Sequence, residues 1–278
     1  RCVMTNFKKA LANKGFVVGG CIFLAIALIA LVGPLVWTVN PNAQEMALRL
    51  SAPSPAHPFG CDDFGRDLLA RVIAGARVSL GVGIAVTLAT SALGLVIGAY
   101  ACYNERLDHI LMRICDGLMS IPGVLLAIAL MAMMGASVWN VIIALSIVYT
   151  PSMARIVRSR AMVVKEEPFV EALRVQGASI ARIVWLHIVP NVMAPFLVQA
   201  TFVFAEAVLS EAALSFLGLG IKAPDASWGN ILQAGKNVMR KAWWMIFFPA
   251  AAIIASVLSL NLAGDGLRDA LDPKTKED

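Results

Sequence analysis

Two carboxylates in an otherwise apolar run, Glu206 and Glu211, are the side chains most open to a chemical role. Both fall within or near the end of Val192–Leu214, a stretch of membrane-crossing length. A charge at mid-bilayer costs about 2.5–3.5 kcal/mol on insertion scales, so each must face protein or water rather than lipid. One reading is a translocation path that senses a cationic or zwitterionic solute. The other is an interhelical hydrogen bond or, for Glu211, an interfacial position. Catalysis has little else to draw on. His57, His109 and His187 are scattered, one outside and two inside on the topology below, so they share no metal. Cys2, Cys21, Cys61, Cys102 and Cys115 contain no C-x-x-C, and only Cys61 falls outside, which leaves no internal disulfide. The phosphate-binding pattern G-x-x-x-x-G-K-[ST] is absent; Gly229–Asn237 has the wrong spacing and ends in Asn, so this chain does not hydrolyse ATP. G-L-G at Gly218–Gly220 follows no strand and lacks a third glycine, which excludes a dinucleotide fingerprint.

The elements that must position these residues are membrane helices. The chain has 278 residues, 59% of them hydrophobic, and a mean hydropathy of +0.77, more apolar surface than a soluble domain hides. Six segments are predicted to span: Gly15–Trp37, Val78–Tyr100, Gly117–Met134, Val138–Ala154, Val192–Leu214 and Trp244–Ala263. The first, about 23 residues or roughly 35 Å of helix, is longer than a signal-peptide core and lacks an A-x-A exit, so it is read as retained. Pro122 is expected to kink the third. With the N-terminus inside, inner segments hold 15 Lys and Arg and outer ones 8, which puts both termini in the cytoplasm. The net charge of +5 is thus a topology signal first. Asn40–Pro58, rich in Pro, Ser and Ala, reads as an extended external linker. Cys61 is expected to react with an impermeant thiol reagent from outside, and Cys2 not. Gly15-x-x-x-Gly19 and Gly94-x-x-x-Gly98 permit close helix packing.

Arg155–Asn191, with six Lys and Arg, interrupts the apolar runs and reads as two short helices joined at a glycine. Pro168 suits a first helical position, and Glu166 and Glu167 place negative charge at the positive end of the dipole. Phe169, Ala172 and Leu173 are expected on one face. Gly177 sits where a helix ends in a left-handed residue, and Ser179 can cap the next one. That second helix carries Ile180, Ile183, Val184 and His187 until Pro190 stops it.

Glu171-Ala172, Gly177 and Pro190 match the E-A-A, three residues, G, nine residues, I-x-L-P pattern of the permease subunits of binding-protein-dependent ABC importers. Leu173 replaces the third alanine, His187 the isoleucine and Val189 the leucine, and H-I-V-P-N is similar to the peptide and nickel branch. His57–Leu80, with Gly60, Gly65, Asp62, Asp63, Arg66 and Asp67, resembles the segment before the second helix in the branch's short-loop subunit. S-F-L-G-L-G followed by P-x-x-x-W-G within Leu209–Asn230, and the tail Asn261–Lys274, are similar to the same branch.

The resemblance implies an all-α membrane protein of six transmembrane helices, an N-terminal anchor plus a five-helix permease core, with a cytoplasmic coupling hairpin. Its parts are residues 1–75 (anchor helix and external linker), 76–270 (core) and 271–278 (tail). It implies a non-enzymatic permease subunit moving dipeptides, oligopeptides, glutathione or metal chelates across a bacterial inner membrane. Glu171, Ala172, Leu173, Gly177, His187 and Pro190 would dock an ATPase. The implied partners are a second homologous permease, two cytoplasmic ATPases holding Mg-ATP, an external solute-binding protein and the bilayer; no nucleic acid and no cofactor on this chain are implied. The alternatives are an ion-coupled secondary transporter, which would need inverted repeats with broken helices, and an intramembrane enzyme resting on Glu206 and Glu211.

Overall fold

Long apolar runs with few breakers favour helices that satisfy their own backbone, and the computed structural model, which describes residues 11 and 13–271, is helical nearly throughout. Cys2, Lys8, Lys9 and the end of the tail lie outside the described residues. Helix α1 spans Lys14–Val36, its first turn capped by the Asn13 side chain, which accepts from the Gly15 and Phe16 amides. Next come a single 3₁₀ turn at Met46–Leu48 and α2, Leu68–Ala101, capped by Asp67. Then follow α3 (Glu105–Met119), α4 (Gly123–Met134) and α5 (Val138–Lys165). The chain continues through α6 (Pro168–Val175), α7 (Ile180–Ile183), α8 (Val189–Phe216), α9 (Trp228–Lys236) and α10 (Trp244–Leu271).

Among the described residues five helices are long and apolar enough to cross a membrane, and the pair α3–α4 makes a sixth crossing only as a broken one, bent by 90°. The expected third span, Gly117–Met134, is therefore not one helix. The chain breaks at Ser120–Pro122, where proline disfavours helix in the residue before it. Alone, α4 has 12 residues, roughly 18 Å, too short for a hydrocarbon core of about 30 Å. Helix α3 is bound across α5 by ion pairs of Asp108 with Arg158 and of Asp116 with Arg155, the latter 2.7 Å. Other helices outrun their predicted spans: α2 begins at Leu68 and α5 continues to Lys165. Hydropathy marks the lipid-crossing part of a helix, whereas backbone hydrogen bonds continue past it.

Three buried clusters stack along the bundle. At the end bearing the long loops, Leu68, Val208, Trp228 and Trp244 join α2, α8, α9 and α10. A second cluster, with Val86, Met131, Leu145 and Leu214, joins α2, α4, α5 and α8. At the other end, Ala99, Val157, Ile183, Val184 and Ile188 join α2 and α5 to the α6–α7 hairpin. Gly98 makes the α2–α5 approach possible, since a Cβ there would lie 2.5 Å from the Ala154 carbonyl. Gly19 does the same for α1 against α10, with the Ser259 carbonyl at 2.5 Å.

Candidate functional site

The hairpin at the Lys165 end is built from local signals. Pro168 stands at the start of α6. At its close Gly177 has φ +76°, its amide donates to the Arg174 carbonyl (2.9 Å), and the Ala178 amide donates to Leu173 (3.0 Å). This pair of bonds with a left-handed glycine is a Schellman closure. Ser179 Oγ accepts from the Arg182 amide at 3.4 Å to start α7. Pro190 does not stop the helix as expected. At Val184–Ile188 the turn widens, the Val189 amide reaches back to the Val184 carbonyl, and the chain runs on into α8. A widened turn spares the chain the i−4 bond that proline cannot make and the clash its ring would cause.

One face of the hairpin is fixed and the other is free. Val170, Ile183, Val184 and Ile188 are buried in the cluster with Ala99, Val157 and Ala161. The inward side of α6 is therefore Val170 with half-buried Leu173, not Phe169 and Ala172, which are exposed along with Glu171, Gly177 and Pro190. Val175 is 85% exposed and Ile180 also points out. His187 is half-buried, its ring tilted against Phe169 with centroids 6.5 Å apart. Three contacts pin the hairpin to the end of α2. Lys165 Nζ donates to the Cys102 carbonyl (2.7 Å), Arg174 Nε to the Tyr103 hydroxyl (3.1 Å), and Trp185 Nε1 to the Tyr100 hydroxyl (3.2 Å). The Arg174 guanidinium also lies 5.1 Å from the Tyr103 ring centre. Sequence reading missed Tyr100 and Tyr103. The signal was there: the chain has only three tyrosines, and two of them close an apolar run.

The two glutamates of α8 are parted. Glu211 is 0% exposed; Ser79 Oγ and Ser215 Oγ each donate to its carboxylate at 2.7 Å. Ser79 Oγ accepts from the Trp228 amide (3.3 Å) and Ser215 Oγ from the Ile221 amide (3.1 Å), so this one carboxylate ties α2, α8, the following loop and α9 together. No solute reaches it while α2 and α8 stay in contact. Glu206 is exposed, beside the third tyrosine, Tyr149.

At the far end, Gly60 and Gly65 are left-handed, φ +75° and +73°. Asp62 binds Arg66 Nε (2.6 Å), lies 3.5 Å from Arg71 Nε, and accepts from the Phe64 and Arg66 amides. Asp67 takes other partners: His57 Nδ1 at 2.7 Å, Trp37 Nε1 at 3.1 Å and the Ala70 amide at 2.7 Å. Cys61 is fully buried beneath them, its carbonyl accepting from Trp244 Nε1 at 3.1 Å. Burial first, then the charges of Asp67, Asp62 and Glu45, push its thiol up to about 11. It is a structural cysteine and will not report topology to a thiol reagent, contrary to expectation.

A family model described as the binding-protein-dependent transport system inner membrane component matches residues 90–277. A second, the N-terminal TM domain of oligopeptide transport permease C, matches residues 6–53. The chain is 45% identical over 274 residues to a putative peptide transport system permease protein of Brucella abortus, covering 99% of this chain and 93% of that one. It is 42% identical over 271 residues to the dipeptide transport system permease protein DppC of Alkalihalophilus pseudofirmus (97% and 89% covered). Against the di/tripeptide transport system permease protein DppC of Pseudomonas aeruginosa it is 38% identical over 281 residues (98% and 93% covered). Its fold is similar to a chain in the inward-facing MetNI methionine ABC transporter, with a TM-score of 0.59 and 18% identity, over 74% of this chain and 98% of that one.

Proposed function

Because the chain belongs to the family of binding-protein-dependent transport system inner membrane components, we propose that it is the membrane-spanning permease subunit of an ATP-driven importer of peptides or peptide-like solutes. Relatives named for peptide and dipeptide transport, alike over nearly the whole chain, support the substrate class. On this reading a second, homologous permease completes the pathway. Two cytoplasmic ATPases carry Mg-ATP, an external binding protein delivers the solute, and this chain holds no cofactor. The hairpin and both termini face the cytoplasm of a bacterial inner membrane; the Lys and Arg excess on that side supports the orientation. Separate family matches to residues 6–53 and 90–277 support setting an anchor with linker (1–75) apart from the rest of the chain, which we divide into a core (76–270) and a tail (271–278).

The observation that carries the reading is the hairpin's two-sidedness. Its inner face is locked into α2, α5 and α8, while Glu171, Ala172 and Gly177 stand outward beside apolar Val175 and Ile180. Leu173, His187 and Pro190 shape that docking surface from its edges. A push from an ATPase on such an element is passed to the membrane helices rather than absorbed, the mechanical requirement of alternating access by rigid-body motion. Glu206 lines the path, and Glu211 acts behind it by holding α2 to α8.

Gly177→Val tests this. A β-branched residue at φ +76° is strained by roughly 1–2 kcal/mol, yet a Cβ there meets no atom within 4 Å, so damage inside the chain is small. The variant should insert nearly normally but lose uptake and co-purify poorly with the ATPases. Glu171→Ala should show the same defects more mildly. Solute-stimulated ATP hydrolysis in reconstituted vesicles reads both, and full coupling of Gly177→Val at normal expression would sink the docking role.

A further inference from the structure

Glu206 is a carboxylate that lipid cannot satisfy, placed on the chain's surface in mid-helix. It lies ten residues before Phe216, roughly 15 Å from the loop end of α8. On antiparallel α5, Tyr149 lies eleven residues after Val138, roughly 16 Å from that same end. Both thus sit near the middle of a hydrocarbon core about 30 Å thick. The contact between the helices is direct. The Tyr149 hydroxyl lies 2.7 Å from Ser210 Oγ and donates to the Glu206 carbonyl at 3.3 Å. Ser210 is one turn beyond Glu206, and Gln199, two turns towards the hairpin, shares its face. Among the described residues no Lys or Arg forms an ion pair with Glu206.

We propose that Glu206, with Tyr149 and Ser210 beside it, forms a subsite that receives the α-ammonium group of a peptide at the midplane, an inference that rests on the peptide-importer reading above. An ammonium offers three donors and no acceptor, and a carboxylate flanked by a phenol and a hydroxyl supplies acceptors on one surface. The attraction between the two charges is stronger in a partly dehydrated path than in water. Lipid headgroup amines carry the same group, but they lie at the interface, not at this depth. Tyr149 is a positioning residue, spanning α5 to α8 at the Glu206 backbone carbonyl and Ser210 Oγ.

The test uses the complete transporter, with partner permease, ATPases and saturating binding protein, in vesicles. The solutes are dialanine and lactoylalanine, in which a hydroxyl replaces the α-ammonium. In Glu206→Gln, ATPase co-purification should persist while the dialanine-to-lactoylalanine uptake ratio falls about tenfold, as loss of a charge-assisted hydrogen bond predicts. Glu206→Asp should keep most of the preference, and Tyr149→Phe should lose it several-fold. An unchanged ratio in Glu206→Gln overturns the subsite and leaves the import reading standing. Absence of ATP-dependent dialanine uptake by the wild type overturns both. Should Glu206→Gln fail to assemble, the ratio in Tyr149→Phe decides in the same way.

Discussion

At Asp63 the chain leaves one carboxylate oxygen without a hydrogen bond. Its Oδ1 is buried without a hydrogen-bond partner among the described residues, and Arg66, 3.9 Å away, is already held by Asp62. Burial, and then the negative charge of Asp62, hold Asp63 above the usual carboxylate range. The folded state therefore binds this proton more readily than the unfolded one. Stability from it is present below the unfolded pKa, about 3.9, and is lost as pH rises through the folded value. Asp63→Asn should accordingly melt higher than the wild type at neutral pH, with the gain shrinking on acidification; thermal unfolding of the purified protein between pH 4 and 7 measures it. Asp62, Asp63, Arg66 and Asp67 stand close enough in sequence to form a charge network, but spacing alone does not fix its pairing. Asp62 takes two arginines, while Asp67 goes to His57 and Trp37. The glutamates were more legible: five residues apart on a helix is about 140° of rotation, so Glu206 and Glu211 had to face different ways. Which one turned inward depended on Ser79, 132 positions away from Glu211.

Among the elements, the hairpin was readable because its signals are local: a proline start, a glycine close and a serine cap. The buried side of α6 was not, because an eight-residue helix offers too few apolar positions to fix its facing without the cluster it packs on. The broken α3–α4 pair was hidden for another reason. A hydropathy window sums residues across a bend and cannot see that the axis has turned. On α3, Leu107, Ile110 and Ile114 form an exposed apolar strip, and Arg106, His109 and Arg113 lie on a separate exposed side. That pattern suits a helix lying in the membrane surface. Fluorophores on Ile110→Cys and Ile114→Cys should then be quenched by brominated lipids at one common depth. An upright α3 would separate them by roughly 6 Å, and that result would return this segment to an ordinary span.

For the whole molecule, the five long crossings and their order followed from apolar runs, since only helices satisfy their backbone in lipid, while the sixth expected run proved to be a bent pair. What joins them did not. Besides the buried clusters and the ion pairs of α3, helices are joined through single polar groups: the Tyr100 and Tyr103 hydroxyls under the hairpin, the Tyr149 hydroxyl at mid-depth and the Glu211 carboxylate near the loops. Each has its partner dozens of residues away, beyond any local pattern. The widened turn at Val184–Ile188 has a consequence for all of them. It acts as one surplus residue wound into the chain, and it sets the phase of everything from Val189 to Phe216 against the hairpin. Deleting Leu186, whose side chain is 63% exposed, should let ordinary winding resume and turn α8 by about 100°. Glu211 would swing away from Ser79, and Glu206 from Tyr149. Leu186→Ala should leave expression and uptake near normal, whereas the deletion should abolish uptake even where protein accumulates. The hairpin and the midplane subsite are in this sense indexed to each other by a count of residues, as a key is cut to a lock by the spacing of its notches rather than by their metal.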